Sequence, residues 1–171
     1  MDAGEELFPI SVNLSVLSVM QENTVREYTE ILRSYGLPDG CVSVEVTETL
    51  DADKETAEAA AHAFHENGFY VEIDDFGAGY AAYANLAAIP YDILKIDKSL
   101  IDQIGTERGN TLIDSLTEMA ADLHMTVIAE GVETAEQAAY LKEKGSLIQG
   151  YYYSRPLPPD EFDAYLKNSH D

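Results

Sequence analysis

The sequence predicts an α/β fold: a TIM-type (β/α) barrel that is incomplete, with about six βα units and the first two strands missing. Three observations predict it. Strand-like and helix-like runs alternate from one end to the other, which implies a parallel sheet. The strands are aliphatic at one parity and polar at the other. The 171 residues fall short of the roughly 250 that eight units usually take.

In chain order, "PISVNLS" reads as the first strand. Residues 24 to 35 follow as a helix that places Val25, Tyr28, Ile31, Leu32 and Tyr35 on one face and stops at Gly36. "CVSVEVTE" is a strand, and residues 54 to 67 form a helix with Ala57, Ala60, Ala61 and Phe64 inward. "FYVEIDDF" and "DILKID" are the next strands. Residues 109 to 123 form a helix on Leu112, Leu116, Met119 and Leu123. After the strand "MTVIAEGVE", Thr134 and Gln137 make a capping box for a helix that closes at Gly145. "SLIQGYYY" is the last strand, and "PPDEFDAYL" begins the last helix.

Parity decides between a barrel and an open sheet. Val12, Val44, Val46, Val71, Ile73, Leu94, Ile96, Val127 and Ile148 share one parity. Asn13, Glu45, Asp74, Lys95, Glu130 and Gln149 hold the other, all near strand C-terminal ends. Alternate side chains of a strand point to opposite faces. One face therefore packs helices while the other gathers polar groups, as in a barrel with its mouth at the C-terminal rim. An open doubly wound sheet wants apolar residues on both faces.

Composition narrows the function. A formal charge of −22 argues against nucleic-acid polymers, whose binding needs clustered Lys and Arg. A phosphate-bearing ligand would need a divalent cation held by carboxylates. Cys41 is the single cysteine, so no internal disulfide forms and a reducing, cytoplasmic setting is expected. "MDAGEELFPI" has no apolar core of a signal peptide, and no run approaches the roughly 18 apolar residues of a membrane span. The chain reads as one domain over residues 1–171.

Asn13, Glu45, Asp74 and Asp75 are hard oxygen ligands suited to Mg²⁺ or Mn²⁺. Adjacent aspartates are tolerable when cations neutralise them, and one carboxylate each for two ions is the arrangement of in-line phosphate-ester hydrolysis. Lys95 would hold an attacking water or balance phosphoryl charge. Taken singly, Asp-Asp-x-Gly is as well explained by a turn, and Glu45 or Glu130 by a solvated rim. The recurrence of six polar residues at one parity and one strand end carries the reading. His62 and His65 lie on an outward helix and read as surface groups.

"SVNLS", "VEVTET", "IDDFGAGYAAYANL", "YDILKIDKSLI", "VIAEGVETAEQ" and "IQGYYYSRPLP" resemble, in order and spacing, the motifs of EAL domains. The resemblance implies a bacterial phosphodiesterase that hydrolyses cyclic di-GMP to linear pGpG with two Mg²⁺ or Mn²⁺ ions. It implies that Asn13, Glu45 and Asp74 ligate the first metal, and that Asp75 and Glu130 serve the second. Lys95 resembles the lysine that orients and activates the water. Glu48 resembles the glutamate anchoring the loop after Asp75, which couples the metals to dimerisation. Gln149 and Glu133 resemble supporting polar contacts. Ala78 stands where the family commonly has threonine, and "KGSLIQG" is one residue shorter than usual.

No Glu-Ala-Leu occurs in the 171 residues. "EILR" mimics it but falls inside the first helix. The missing tripeptide carries a metal-ligand glutamate in the family. Weak hydrolysis by this chain alone is therefore one expectation. A catalytically inactive EAL-like module that binds cyclic di-GMP or a signalling protein partner is the alternative. Open barrel edges at "PISVNLS" and "LIQGYYY" further suggest a homodimer or strand pairing with another chain.

Overall fold

Alternating β-branched strands and alanine-rich or amphipathic helices give a single layer of parallel strands with helices packed on one side. A computed structural model describes residues 7, 9–14, 23–47, 54–77, 86 and 89–168. The six strands are β1 (Ile10–Leu14), β2 (Val42–Thr47), β3 (Tyr70–Phe76), β4 (Ile93–Ile96), β5 (Thr126–Ala129) and β6 (Leu147–Ile148). They lie in sequential order and every neighbouring pair is parallel. Sequential parallel order is what a barrel wall requires. Among the described residues β1 and β6 do not pair, so the wall is open, as the reading of an incomplete barrel expects.

The helices are α1 (Thr24–Ser34), α2 (Lys54–Glu66), α3 (Lys98–Ile101), α4 (Glu107–Asp122), α5 (Ala135–Glu143) and α6 (Pro159–Asn168). The capping box of α5 is present: Thr134 accepts from the Gln137 amide while Gln137 Oε1 accepts from the Thr134 amide at 3.1 Å. The one-turn helix α3 escapes the hydrophobic pattern because it is too short to show a period. Its Asp97 cap accepts from the Ser99 amide at 2.9 Å.

The outward parity holds. Val44, Val71, Ile73, Leu94 and Ile96 are fully buried against Phe64 of α2, Ile113 of α4 and Leu141 of α5. Two helix faces differ from the pattern expected. On α1, Leu32 and the threonines Thr24 and Thr29 are buried, whereas Ile31 and Tyr35 are exposed. On α4, the inward stripe runs through Ile113, Leu116 and Ala120, leaving Leu112 and Leu123 exposed. On α4 the true stripe is rotated by most of one residue's roughly 100° of helix, whereas on α1 Leu32, Val25 and Tyr28 keep the expected face and only its edge shifts. Thr24 and Thr29 join Leu32 on one inward face, and Gly109, Thr117 and Ala120 join Ile113 and Leu116 on the other. Bulkier neighbours cover the margins.

Asp92 ties β3 and β4 to α2: it accepts from the Val71 amide at 2.9 Å and lies 3.2 Å from His65 Nδ1. Asp114 similarly joins α4 to α5, paired with Lys144 and accepting from the Tyr140 hydroxyl at 2.6 Å. Lys144, then Tyr140, holds the Asp114 carboxyl below the usual carboxylate range, and burial with Asp114 beside it pushes the Tyr140 hydroxyl up to about 12.

The rotated face of α4 is testable. Ile113→Ala should cost about 2–5 kcal/mol and Leu112→Ala no more than about 0.5 kcal/mol, read by denaturant unfolding. Because a depressed carboxyl pKa adds stability above its unfolded value and loses it as pH falls through the folded value, acid should erode less stability in Asp114→Asn than in the parent. Melting temperatures followed from neutral pH down to about pH 3 give the comparison.

Candidate metal centre

Successive residues of a strand face opposite ways, so Asp74 and Asp75 should not reach one place. The pairing of β3 with β4 removes the difficulty. Ile73 is level with Leu94 and Phe76 with Ile96, so the two aspartates together stand opposite Lys95. One strand has an extra residue, which is a β-bulge. Asp75 takes it up with φ +54, and Gly77 follows with φ +105, both in the left-handed region that costs a side chain strain. A Cβ at Gly77 would also collide with the Leu100 side chain. Carboxylate oxygens of Asp74, Asp75 and Glu130 consequently lie within 4.8 Å of one another.

Lys95 stands at the middle. Its side chain is 4% exposed, and Nζ lies 2.7 Å from Glu45, 2.9 Å from Asp74 and 2.7 Å from Glu130. Asp74 Oδ1 makes no hydrogen bond of good geometry, so the 2.9 Å contact is one of charge. Burial alone would lower the Lys95 pKa, but the hydrogen bonds to Glu130 and Glu45 and the close Asp74 carboxylate outweigh it and hold the ammonium above its ordinary value. Glu130 is pushed up: burial is the largest cause and outweighs the pull of Lys95, with the charges of Asp74 and Glu45 adding to it. Three acids share one cation.

Asn13 is level with Glu45 across β1 and β2, on the exposed side of β1 at the open end of the wall. Glu45 meets the cluster through Lys95, whereas the close carboxylate group is Asp74, Asp75 and Glu130. Gln149 is exposed at the end of β6, where its amide donates to the Ala129 carbonyl at 2.9 Å. Glu133 sits 3.4 Å from Lys98. Glu48 lies outside the described residues. Lys98, Glu133, Gln149, Tyr151, Arg155 and Phe162 border a cavity of about 630 Å³ beside the centre.

Glu72 belongs to this inner face and was not anticipated. It is level with Glu45, 0% exposed, and accepts from Ser11 Oγ at 2.8 Å, while its second oxygen has no hydrogen-bond partner. The signal was available: Glu72 has the parity of Asp74, one pair earlier in β3.

The donor set fits a divalent cation. Carboxylate oxygens within 4.8 Å can surround one ion at the roughly 2.0–2.6 Å of Mg²⁺ or Ca²⁺ ligands, and no cysteine or histidine competes in that group.

Sheet and centre together define an α/β protein of barrel type with an acidic, oxygen-ligand site at the C-terminal strand ends. The chain belongs to the EAL domain family, whose profile matches residues 1–156. It is 36% identical over 168 residues to the cyclic di-GMP phosphodiesterase NbdA of Pseudomonas aeruginosa, covering 96% of this chain and 22% of that protein. The EAL domain of Mycobacterium smegmatis DcpA superposes with a TM-score of 0.87 at 30% identity, covering 94% of this chain and 73% of the other. Klebsiella pneumoniae BlrP1, solved as a manganese and cyclic di-GMP complex, superposes with a TM-score of 0.80 at 32% identity over 86% of this chain and 39% of its own. The chain spans 20% to 22% of the length of three curated relatives. Among the described residues no helix is long and apolar enough to cross a membrane.

The loops around the centre are held by close backbone approach. A Cβ at Gly150 would strike the Val132 carbonyl oxygen and amide, which cannot yield as a flexible side chain would. Gly150→Ala should lower stability by about 1–3 kcal/mol in thermal unfolding, because the loop after Gln149 must leave the loop after Glu130.

Proposed function

We propose that residues 1–171 form one EAL-type phosphodiesterase domain that hydrolyses cyclic di-GMP to linear pGpG with Mg²⁺ or Mn²⁺. The observation carrying this reading is the gathering of Glu45, Asp74, Asp75, Lys95 and Glu130 at neighbouring strand ends. Asn13, Glu45 and Asp74 are assigned to a first ion, and Asp75 and Glu130 to a second. Two ions so held would supply Lewis acidity at the phosphoryl oxygens and lower the pKa of the attacking water.

The chain's own groups have separate tasks. Glu130, whose pKa is raised by burial, takes the proton of the attacking water. Lys95 donates to that water or to a phosphoryl oxygen. One P–O bond of the cyclic dinucleotide breaks as the water oxygen bonds to phosphorus, leaving a hydroxyl at one end and a terminal phosphate at the other. Gln149 and Glu133 border the cavity and contact substrate, and Glu48 anchors the loop after Asp75. The lone half-buried thiol of Cys41 fits a cytoplasmic setting.

A second reading is binding without turnover. It is favoured by the first-ion set, which among the described residues has only Asn13, Glu45 and Asp74. Exposed Ile10 and Leu147 on the two edge strands favour a further partner: a homodimer or strand pairing with another chain.

Incubation of the chain with cyclic di-GMP and Mn²⁺ tests the first reading. Linear product should form, vanish on chelation, and fall at least about 100-fold in Asp74→Asn and Glu45→Gln. Product formation indifferent to chelation would overturn it. Calorimetry in Ca²⁺ that shows binding, with no product in Mn²⁺, would select the second reading.

A further inference from the structure

We infer that Lys95 is the resident counter-ion of the centre: without divalent ions its ammonium takes the cation's place, and metal loading is an exchange that draws the carboxylates away from it. The inference rests on the metal reading above for its second half only. The first half stands on geometry.

An ammonium buried to 4% exposure normally finds one acid partner. Lys95 has three, at 2.7, 2.9 and 2.7 Å, from Glu45 on β2, Asp74 on β3 and Glu130 after β5. Two of the three, Asp74 and Glu130, also belong to the carboxylate group compact enough to surround an ion. A divalent ion held by these carboxylates would repel the ammonium held by the same carboxylates, so the two cations compete for the same negative charge. Among the described residues the inward neighbours of Lys95 on the adjoining strands are Asp74, Asp75 and Ile128, none of them cationic. Glu72 adds a further buried carboxylate one level below, so removing the ammonium would leave only like charges. Breaking one side of a buried charge cluster is strongly destabilising.

The exchange has a consequence for order of events. Lys95 is engaged while the centre is empty and becomes available to a water or a phosphoryl oxygen only once the carboxylates have turned to metal. Loading would therefore prime the lysine as well as install the ions.

Lys95→Met keeps the length and removes the charge. In chelator its melting temperature should fall by roughly 10 °C relative to the parent. Adding Glu45→Gln to Lys95→Met should recover part of that loss, since it removes one of the unbalanced charges. In Ca²⁺, Lys95→Met should gain more in melting temperature than the parent, and calorimetry should show Ca²⁺ binding at least fivefold tighter. Equal melting temperatures in chelator, or weaker Ca²⁺ binding by Lys95→Met, would overturn the inference. If the single variant does not fold, the pair Glu45→Gln and Lys95→Met with Glu45→Gln carries the same comparison. A parent chain that binds no divalent ion sinks the metal reading, yet leaves the chelator arm to decide the counter-ion role.

Discussion

One buried ammonium shared by three carboxylates is the constraint on which the rest of the molecule depends. Glu45, Asp74 and Glu130 come from three different strands or strand ends, and each reaches the Nζ of Lys95 within 2.9 Å. The register of the sheet must deliver them together, and only a curved parallel wall brings inward side chains from β2, β3 and β5 to one point above β4. Such a cluster is not a way of maximising stability. Desolvating four charged groups costs several kcal/mol per ion even after relaxation, and a well-packed apolar replacement is often no worse. The wall is stabilised instead by the opposite parity, where Val44, Val71, Ile73, Leu94 and Ile96 are sealed from water by the helices. The two faces divide the labour: one holds the fold and the other holds charge.

The bulge in β3 shows how local strain is placed where chemistry needs it. Regular alternation would send Asp75 to the helix-packed face, where an ionised carboxylate is not tolerated. An extra residue opposite Lys95 and a left-handed Asp75 turn it back to the rim. Gly77 continues the turn with a conformation and a clearance that no side chain could share. The same shift restores Phe76 to the core at 1% exposure, so the packing parity is recovered immediately after the site. An adjacent pair of acids is thus a backbone device as much as an electrostatic one.

Much of this was legible in the residues. Strand parity alone separates the packed face from the acidic one, and it places Glu45, Asp74, Lys95 and Glu130 correctly because those strands are regular where they matter. It fails where the backbone departs from regularity. The bulge is invisible to parity, so the joint position of the two aspartates could be argued only from charge. The shifted faces of α1 and α4 have a different cause. Periodicity counts large apolar residues, but Thr29, Gly109 and Ala120 are buried as well, leaving Ile31 and Leu112 at the margin. Glu72 was overlooked because an acid in mid-strand looks like an outward residue unless its parity is set against that of Asp74.

Glu72 also sharpens the charge balance of the inner face. Glu45, Glu72, Asp74, Asp75 and Glu130 are five carboxylates, and among the described residues Lys95 is the ammonium they surround. Fully ionised they sum to −5 + 1, or −4, the charge that two divalent ions would cancel. Without ions Lys95 offsets part of that charge, and burial pushes the Glu130 carboxyl pKa up. Since a protonated Glu130 is a poor ligand, cations and protons compete for the same group. The chain's acidity elsewhere is solvated and screened beyond about 10 Å. On this face, among low-dielectric walls, each added or removed charge alters what the others can do.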